Sequence, residues 1–271
     1  MLKWLGRLLL ISFAIIIIGP LLIVVFTMFK TTPQFYSDPI GLPTQLSWLN
    51  ITALFDKQPM LTYFRNSVVV TLSTVLLVLL LAGSISYAIM RYGKQAIGGV
   101  IFSLFAIGLM VPSQVNMIPI YSLLQKLGWS NSHLGLILVS TSVLLPLSVF
   151  MLNGFMKTLP KEILEAGEID GAGEWRLLLR IVFPLSAPYV ATTAAFLFVI
   201  VWNDLLFPML LLSGKDKLTL PLALLQFKGE FMTDYPLLMT GVLVTAFPMI
   251  ILFVFLQRYF ISGSLAGSLK G

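Results

Sequence analysis

The stretch Val68–Met90 reads VVVTLSTVLLVLLLAGSISYAIM. It has no charged residue and no polar–apolar alternation, so it reads as a helix rather than a barrel strand. A bilayer core takes about 20 apolar residues in a helix, and inside lipid every backbone N–H and C=O needs an internal partner. Five further stretches reach or approach that length: Leu8–Phe29, Ile97–Tyr121, Leu134–Leu152, Val190–Leu212 and Leu237–Phe260. Lys3 and Arg7 precede the first as in a signal peptide, but its apolar run is too long and no A-x-A site follows, so it is expected to be a retained span.

The composition agrees. Hydrophobic types make up 58% of the 271 residues and charged types 10%, against about 25% charged in a soluble domain. The net charge of +6 is read as basic residues flanking spans rather than as a nucleic-acid surface. There is no cysteine and one histidine, His133, so zinc fingers, disulfide scaffolds, thiol enzymes and multi-histidine metal sites are excluded. His133 is expected to be a solvated residue of a short outer loop. No G-x-x-x-x-G-K-[ST], H-E-x-x-H or G-x-S-x-G occurs, so the chain has no P-loop and no recognisable catalytic centre.

Six spans put both termini on one side. Placing that side in the cytoplasm gives the inner segments more of the Lys and Arg, chiefly through Lys3, Arg7, Arg91 and Lys94. The long inner connector is then 153–189, which reads as a helical hairpin. Thr158 can cap, Pro160 suits a first turn, and Lys161–Ile169 continues with good helix formers. Gly171 and Gly173 end that helix, Trp175–Val182 forms a second, and Pro184 and Pro188 are expected to stop it. Of the outer connectors, Lys30–Ser67 is expected to be irregular. Ser213–Pro236 has a polar tip followed by an apolar piece, Leu218–Phe227, too short to span.

Prolines 112, 119, 146, 208 and 248 fall within the apolar stretches, where membrane helices tolerate them or use them as hinges. One acid lies within a stretch, in Trp202-Asn203-Asp204. Asp204 either lines a translocation path or pairs helices, or it caps backbone N–H groups freed by Pro208.

The inner connector also carries a motif: Glu165-Ala166-Gly167, three residues, Gly171, nine residues, Ile181, one residue, Phe183-Pro184. This resembles the EAA motif of permease subunits of binding-protein-dependent ABC importers, E-A-A-x3-G-x9-I-x-L-P. Gly167 stands for the third position's Ala and Phe183 for Leu, and Glu165, Ala166, Asp170, Gly171 and Ala172 give the fuller form E-A-x-x-x-D-G-A. Trp202-Asn203-Asp204, Pro208, Asn66-Ser67 and the ending Gly263, Ala266-Gly267, Lys270-Gly271 resemble the carbohydrate branch, especially the smaller maltose-type permease.

The resemblance implies an all-α integral membrane protein of six transmembrane helices. Its fold would be that of a type I ABC importer permease, one domain over 1–271, in the bacterial inner membrane with both termini cytoplasmic. It implies a heterodimer with a second homologous permease, two ATPase subunits holding ATP and Mg, and an extracytoplasmic solute-binding protein. The chain itself would bind no cofactor, metal or nucleic acid and catalyse no reaction. Glu165, Ala166, Gly167, Asp170, Gly171 and Ala172 would form the coupling helix on the ATPase. Leu218, Thr219, Leu220 and Pro221 would meet the binding protein, and Lys270 and Gly271 the ATPases. The substrate would be a sugar or oligosaccharide, with glycerol 3-phosphate open. An ion-coupled secondary transporter is the competing class, since Asp204 is intramembrane, and an intramembrane enzyme the third.

Overall fold

A computed structural model describes the backbone of residues 2–93, 96–227 and 233–268 and the side chains of 4–93, 97–227 and 233–255. The described residues are mostly helical, with no strand among them. Among the described residues four uninterrupted helices are long and apolar enough to cross a membrane: α1 (Leu2–Met28), α4 (Met60–Tyr92), α7 (His133–Met156) and α12 (Tyr235–Ser268). Two bent pairs bring the number to six if each counts as one span. The chain divides into two compact units, Met1–Phe64 with Thr219–Ile250, and Arg65–Leu218 with Ile251–Gly271.

In the first unit the connector after α1 is not irregular. It folds as α2 (Thr32–Ser37) and α3 (Leu49–Lys57), and α4 begins at Met60 rather than Val68. The buried Lys30 ammonium donates to the carbonyls of Asp38 (2.8 Å) and Pro39 (3.1 Å), which fixes the turn out of α1. Asn50 donates to the carbonyls of Met28 (2.7 Å) and Lys30 (2.8 Å), satisfying acceptors at the end of α1.

The second unit holds α4 beyond Arg65, α5 (Ala96–Met110), α6 (Met117–Leu127), α7, α8 (Lys161–Ile169), α9 (Glu174–Leu177), α10 (Ala187–Trp202) and α11 (Leu206–Leu211). The third apolar stretch is not straight. Its two segments meet at 87° after Val111-Pro112. The fifth stretch ends at Trp202, and α11 follows as a separate short helix. The prolines sort by position. Pro119 and Pro208 sit in the first turns of α6 and α11, where a missing N–H leaves no bond unmade, while Pro146 and Pro248 lie inside continuous helices. α7 packs against α5, α10 and α11. Ala82, Ile89, Val149 and Leu152 form a buried cluster, and the Ser86 hydroxyl donates to the Val149 carbonyl at 3.2 Å.

The polar tip at 213–217 is anchored. The Asn131 side-chain oxygen accepts from the N–H groups of Ser213 and Gly214, both at 3.1 Å. The Lys217 ammonium donates to the Asn131 carbonyl at 2.7 Å, and Asn66 to the carbonyls of Asp216 (2.9 Å) and Leu218 (3.0 Å). His133 is therefore not a solvated loop residue. It opens α7, and its Nε2 donates to the Lys217 carbonyl at 2.8 Å.

Candidate functional site

The connector 153–189 folds as a hairpin. α8 occupies the residues its sequence specifies, because both ends are set locally. Pro160 holds extended backbone just before it, and Glu162 places negative charge in the first turn, where the helix dipole favours it. Thr158 is not the cap; its hydroxyl donates back to the Phe155 carbonyl at 2.8 Å. At the far end Gly171 takes φ +77°. Its N–H bonds the Glu168 carbonyl at 2.9 Å and that of Ala172 bonds the Gly167 carbonyl at 2.9 Å, the Schellman arrangement that satisfies terminal carbonyls. Gly173 then precedes α9.

The second helix does not stop at Pro184. α9 continues through a π-helical turn, Leu178–Val182, and a short helix, Phe183–Leu185, then meets α10 at 79°. Pro184 and Pro188 take early positions in the segments they begin.

The hairpin is held by a buried core of Tyr87, Met156, Leu164, Leu177, Leu178 and Val182, with Met90, Leu159, Ala172, Ile181 and Phe183 around it. Burying a Leu-sized side chain contributes about 1.5–3 kcal/mol. This core therefore outweighs any ion pair at its edge in holding α8 and α9 to the C-terminal ends of α4 and α7.

One face of α4 forms the seat. Gly83, Tyr87 and Arg91 recur at helical spacing. A Cβ on Gly83 would lie 2.5 Å from the Phe183 ring. The departure from Leu at this motif position thus has a structural counterpart, since the larger ring fills the space a glycine leaves. One turn on, the Tyr87 hydroxyl donates to the Glu174 carboxylate. Arg91 pairs with Glu174 (Nη2–Oε1 3.0 Å, Nε–Oε1 3.3 Å) and with Glu168. Hydrogen bonds from Arg91, and secondarily from Tyr87, hold the Glu174 carboxyl below the usual carboxylate range.

Of the motif residues, Glu165, Ala166, Asp170 and Gly171 are exposed on the outside of the hairpin. Gly167 faces inward. A Cβ there would lie 2.6 Å from Leu177 and 3.0 Å from Ile181, so its smallness serves the approach of α8 to the second helix. Ala172 also packs inward. Beside the exposed motif residues stand Ile169, 87% exposed, and Trp175, 72% exposed. Two large apolar side chains next to an acidic helix make an exposed apolar patch. Sequence reading did not single them out, although an apolar residue directly before Asp170-Gly171 was the available signal.

Elsewhere, Trp202 is buried and stacks on Phe198, with ring centroids 5.4 Å apart. Asn203 is exposed and donates to the Val199 carbonyl at 2.8 Å. Asp204 accepts from the N–H of Leu206 (3.0 Å) and Phe207 (3.5 Å), so it caps α11, and it also lines a cavity of about 200 Å³. Leu218, Thr219 and Leu220 are buried and Pro221 half-buried, whereas Ser213, Lys215 and Asp216 are exposed. Lys270 and Gly271 lie outside the described residues.

Residues 79–262, which contain the hairpin, match the family model of the binding-protein-dependent transport system inner membrane component. The chain belongs to that family. It is 32% identical to the arabinooligosaccharides transport system permease protein AraQ of Halalkalibacterium halodurans, over 100% of this chain and 97% of that one. It is 33% identical to the diacetylchitobiose uptake system permease protein NgcG of Streptomyces coelicolor, covering 95% and 85%. In fold it resembles a chain of a bacterial ABC transporter that imports the acidic polysaccharide alginate, with TM-score 0.82 at 18% identity, covering 96% of each chain. The protein is a multi-pass permease subunit, a non-catalytic component of an ABC importer. That membership sets aside the ion-coupled transporter and the intramembrane enzyme.

Proposed function

We propose that this permease carries a sugar or oligosaccharide inward from an extracytoplasmic binding protein, driven by partner ATPases that grip the 161–185 hairpin. The observation that carries the coupling role is the hairpin's build. An exposed face of Glu165, Ala166, Asp170, Ile169 and Trp175 stands on a core continuous with α4 and α7. A displacement of that face moves the inner ends of two spans, because the buried contacts beneath it are close-packed. The ATPases hold ATP and Mg, and their closure acts through contacts that differ between the inward-open and outward-open arrangements.

The carbohydrate assignment is supported by relatives named for arabinooligosaccharides, diacetylchitobiose and multiple sugars. None of these names points to glycerol 3-phosphate. In this reading residues 1–271 act as one permease domain with both termini in the cytoplasm, paired with a second homologous permease. The tail at Lys270 and Gly271 approaches the ATPases, and the anchored outer loop around Leu218–Pro221 meets the binding protein through its exposed flank. The test is complementation. Deleting the chain should abolish uptake of a neutral oligosaccharide, the wild-type chain should restore it, and Glu165→Lys should not. Unchanged uptake in the deletion strain would refute the assignment.

A further inference from the structure

Two helix breaks and α7 border one cavity. One lies after α5 at Val111-Pro112, the other at Asn203–Leu205 between α10 and α11. Non-helical backbone within membrane segments persists where it is buried in protein or lines a cavity, and here the breaks border the cavity that Asp204 lines. Its polar wall is Ser113, Gln114, Ser140 and Asp204, and its apolar wall includes Val143 and Phe207.

Ser140 sets this cavity apart from ordinary packing. It is 5% exposed, and its hydroxyl has no hydrogen-bond partner. Thr141 and Asn153 on α7 also carry a buried side-chain oxygen without a partner, but among the described residues Ser140 is the one of the three that lines this cavity. Ser142 donates to the Leu138 carbonyl and Ser148 to that of Leu144, both at 2.9 Å, the usual way a serine is satisfied within an apolar helix. A buried hydroxyl without a partner, beside a cavity with further polar groups, can bond a ligand there.

We propose that this chain contributes its own saccharide subsite at this cavity. Ser113, Gln114, Ser140 and Asp204 would hydrogen-bond the hydroxyls of one neutral sugar unit against the Phe207 side chain. The proposal rests on the carbohydrate reading above. The donor and acceptor set suits hydroxyls, which both give and accept hydrogen bonds. Among the described residues no Lys, Arg or His lines the cavity, so none of them neutralises a phosphate or a uronate there. At about 200 Å³ it is smaller than the roughly 300–1,000 Å³ of pockets for drug-sized ligands, which fits one ring unit rather than a whole oligosaccharide. Ser140 lies about 10 Å along α7 from its outer end. A sugar released on the outer side reaches this subsite before the inner half of the path.

The test measures uptake of radiolabelled raffinose, arabinotriose and diacetylchitobiose, with an alginate trisaccharide as the acidic probe, in cells producing the complete transporter. At least one neutral probe should be imported and the acidic one excluded. At subsaturating concentration Ser140→Ala and Gln114→Leu should each lower that uptake roughly five-fold, the scale of one lost hydrogen bond, at unchanged amounts of membrane permease. Ser140→Thr, which keeps the hydroxyl, should stay within about two-fold of wild type on the same scale. Wild-type uptake in both hydroxyl- and amide-lacking variants overturns the subsite and leaves the carbohydrate reading standing. So does equal impairment of Ser140→Ala and Ser140→Thr, a fall matched by loss of inserted permease, or import of the acidic probe. Uptake of none of the neutral probes by the wild type overturns the carbohydrate reading, and the subsite with it.

Discussion

Arg91, in the last turn of α4, and Glu174, at the start of α9, stand 83 residues apart in the sequence with their charged atoms 3.0 Å apart. Glu168 on α8 joins the same guanidinium, so one cation ties both arms of the hairpin to one span. All three side chains are partly exposed, and such a pair contributes only about 0.2–1 kcal/mol. Its role is geometric: the buried core beneath supplies the adhesion, and the pair sets the angle at which the hairpin meets α4.

Reversing that charge should uncouple rather than unfold. Arg91→Glu sets three carboxylates together and should lower uptake several-fold, with most of the permease still inserted. Arg91→Glu combined with Glu174→Arg should recover part of the loss. Uptake assays on the single and double variants check this, and no recovery in the double variant would remove the pair from the account.

Gly83 and Phe183 should behave as one unit. Gly83→Ala places a Cβ against the ring and should destabilise the permease by about 1–3 kcal/mol, the usual scale of overpacking. Phe183→Leu in the same chain should restore most of that stability. Thermal unfolding of the detergent-solubilised permease, comparing both single variants with the double, is the measurement.

Gly171→Val should weaken recovery of the ATPase with the permease, because φ +77° is strained for a β-branched residue by about 1–2 kcal/mol or more. Gly171→Asn, which tolerates that region, should retain it. Co-purification of the ATPase on a tagged permease distinguishes the two.

The Glu174 carboxyl gives a pH signature. Its folded value is depressed below the ordinary 4.5 by hydrogen bonds from Arg91 and Tyr87. The stabilisation it supplies is thus full above the unfolded value and lost as the pH falls through the folded one. The stability gap between wild type and Glu174→Gln should be present at neutral pH and close progressively below pH about 4.5. Melting temperatures of the solubilised permease from pH 7 to pH 3 measure it, and a constant gap would contradict the assignment.

What the sequence made legible was local. α8 was readable to the residue because Pro160 and Gly171 act on their own neighbours. The apolar runs announced helices, since length and lipid leave no other solution. Position within a helix decided what each proline does, and that depends on where its helix begins. Pro184 and Pro188 therefore read as stops although they begin segments. The bend at Val111-Pro112 was visible as an interruption but not as an 87° turn. The seat on α4 was hidden for a different reason. Gly83, Tyr87 and Arg91 look like span residues until a partner far along the chain is brought against them. The same holds for Ser140, an unremarkable helix serine until neighbouring backbones break away and leave its hydroxyl beside a cavity.

The coupling role of the hairpin depends on which side of the membrane it faces and what covers it. The chain has no cysteine, so Glu165→Cys introduces a single reporter on the exposed face of α8. Its labelling by a membrane-impermeant maleimide should occur in inverted vesicles stripped of the ATPase and be blocked when the ATPase is restored. Intact cells should give no label. Labelling from outside intact cells, or label in inverted vesicles indifferent to the ATPase, would contradict the hairpin as the point where the motor grips this permease.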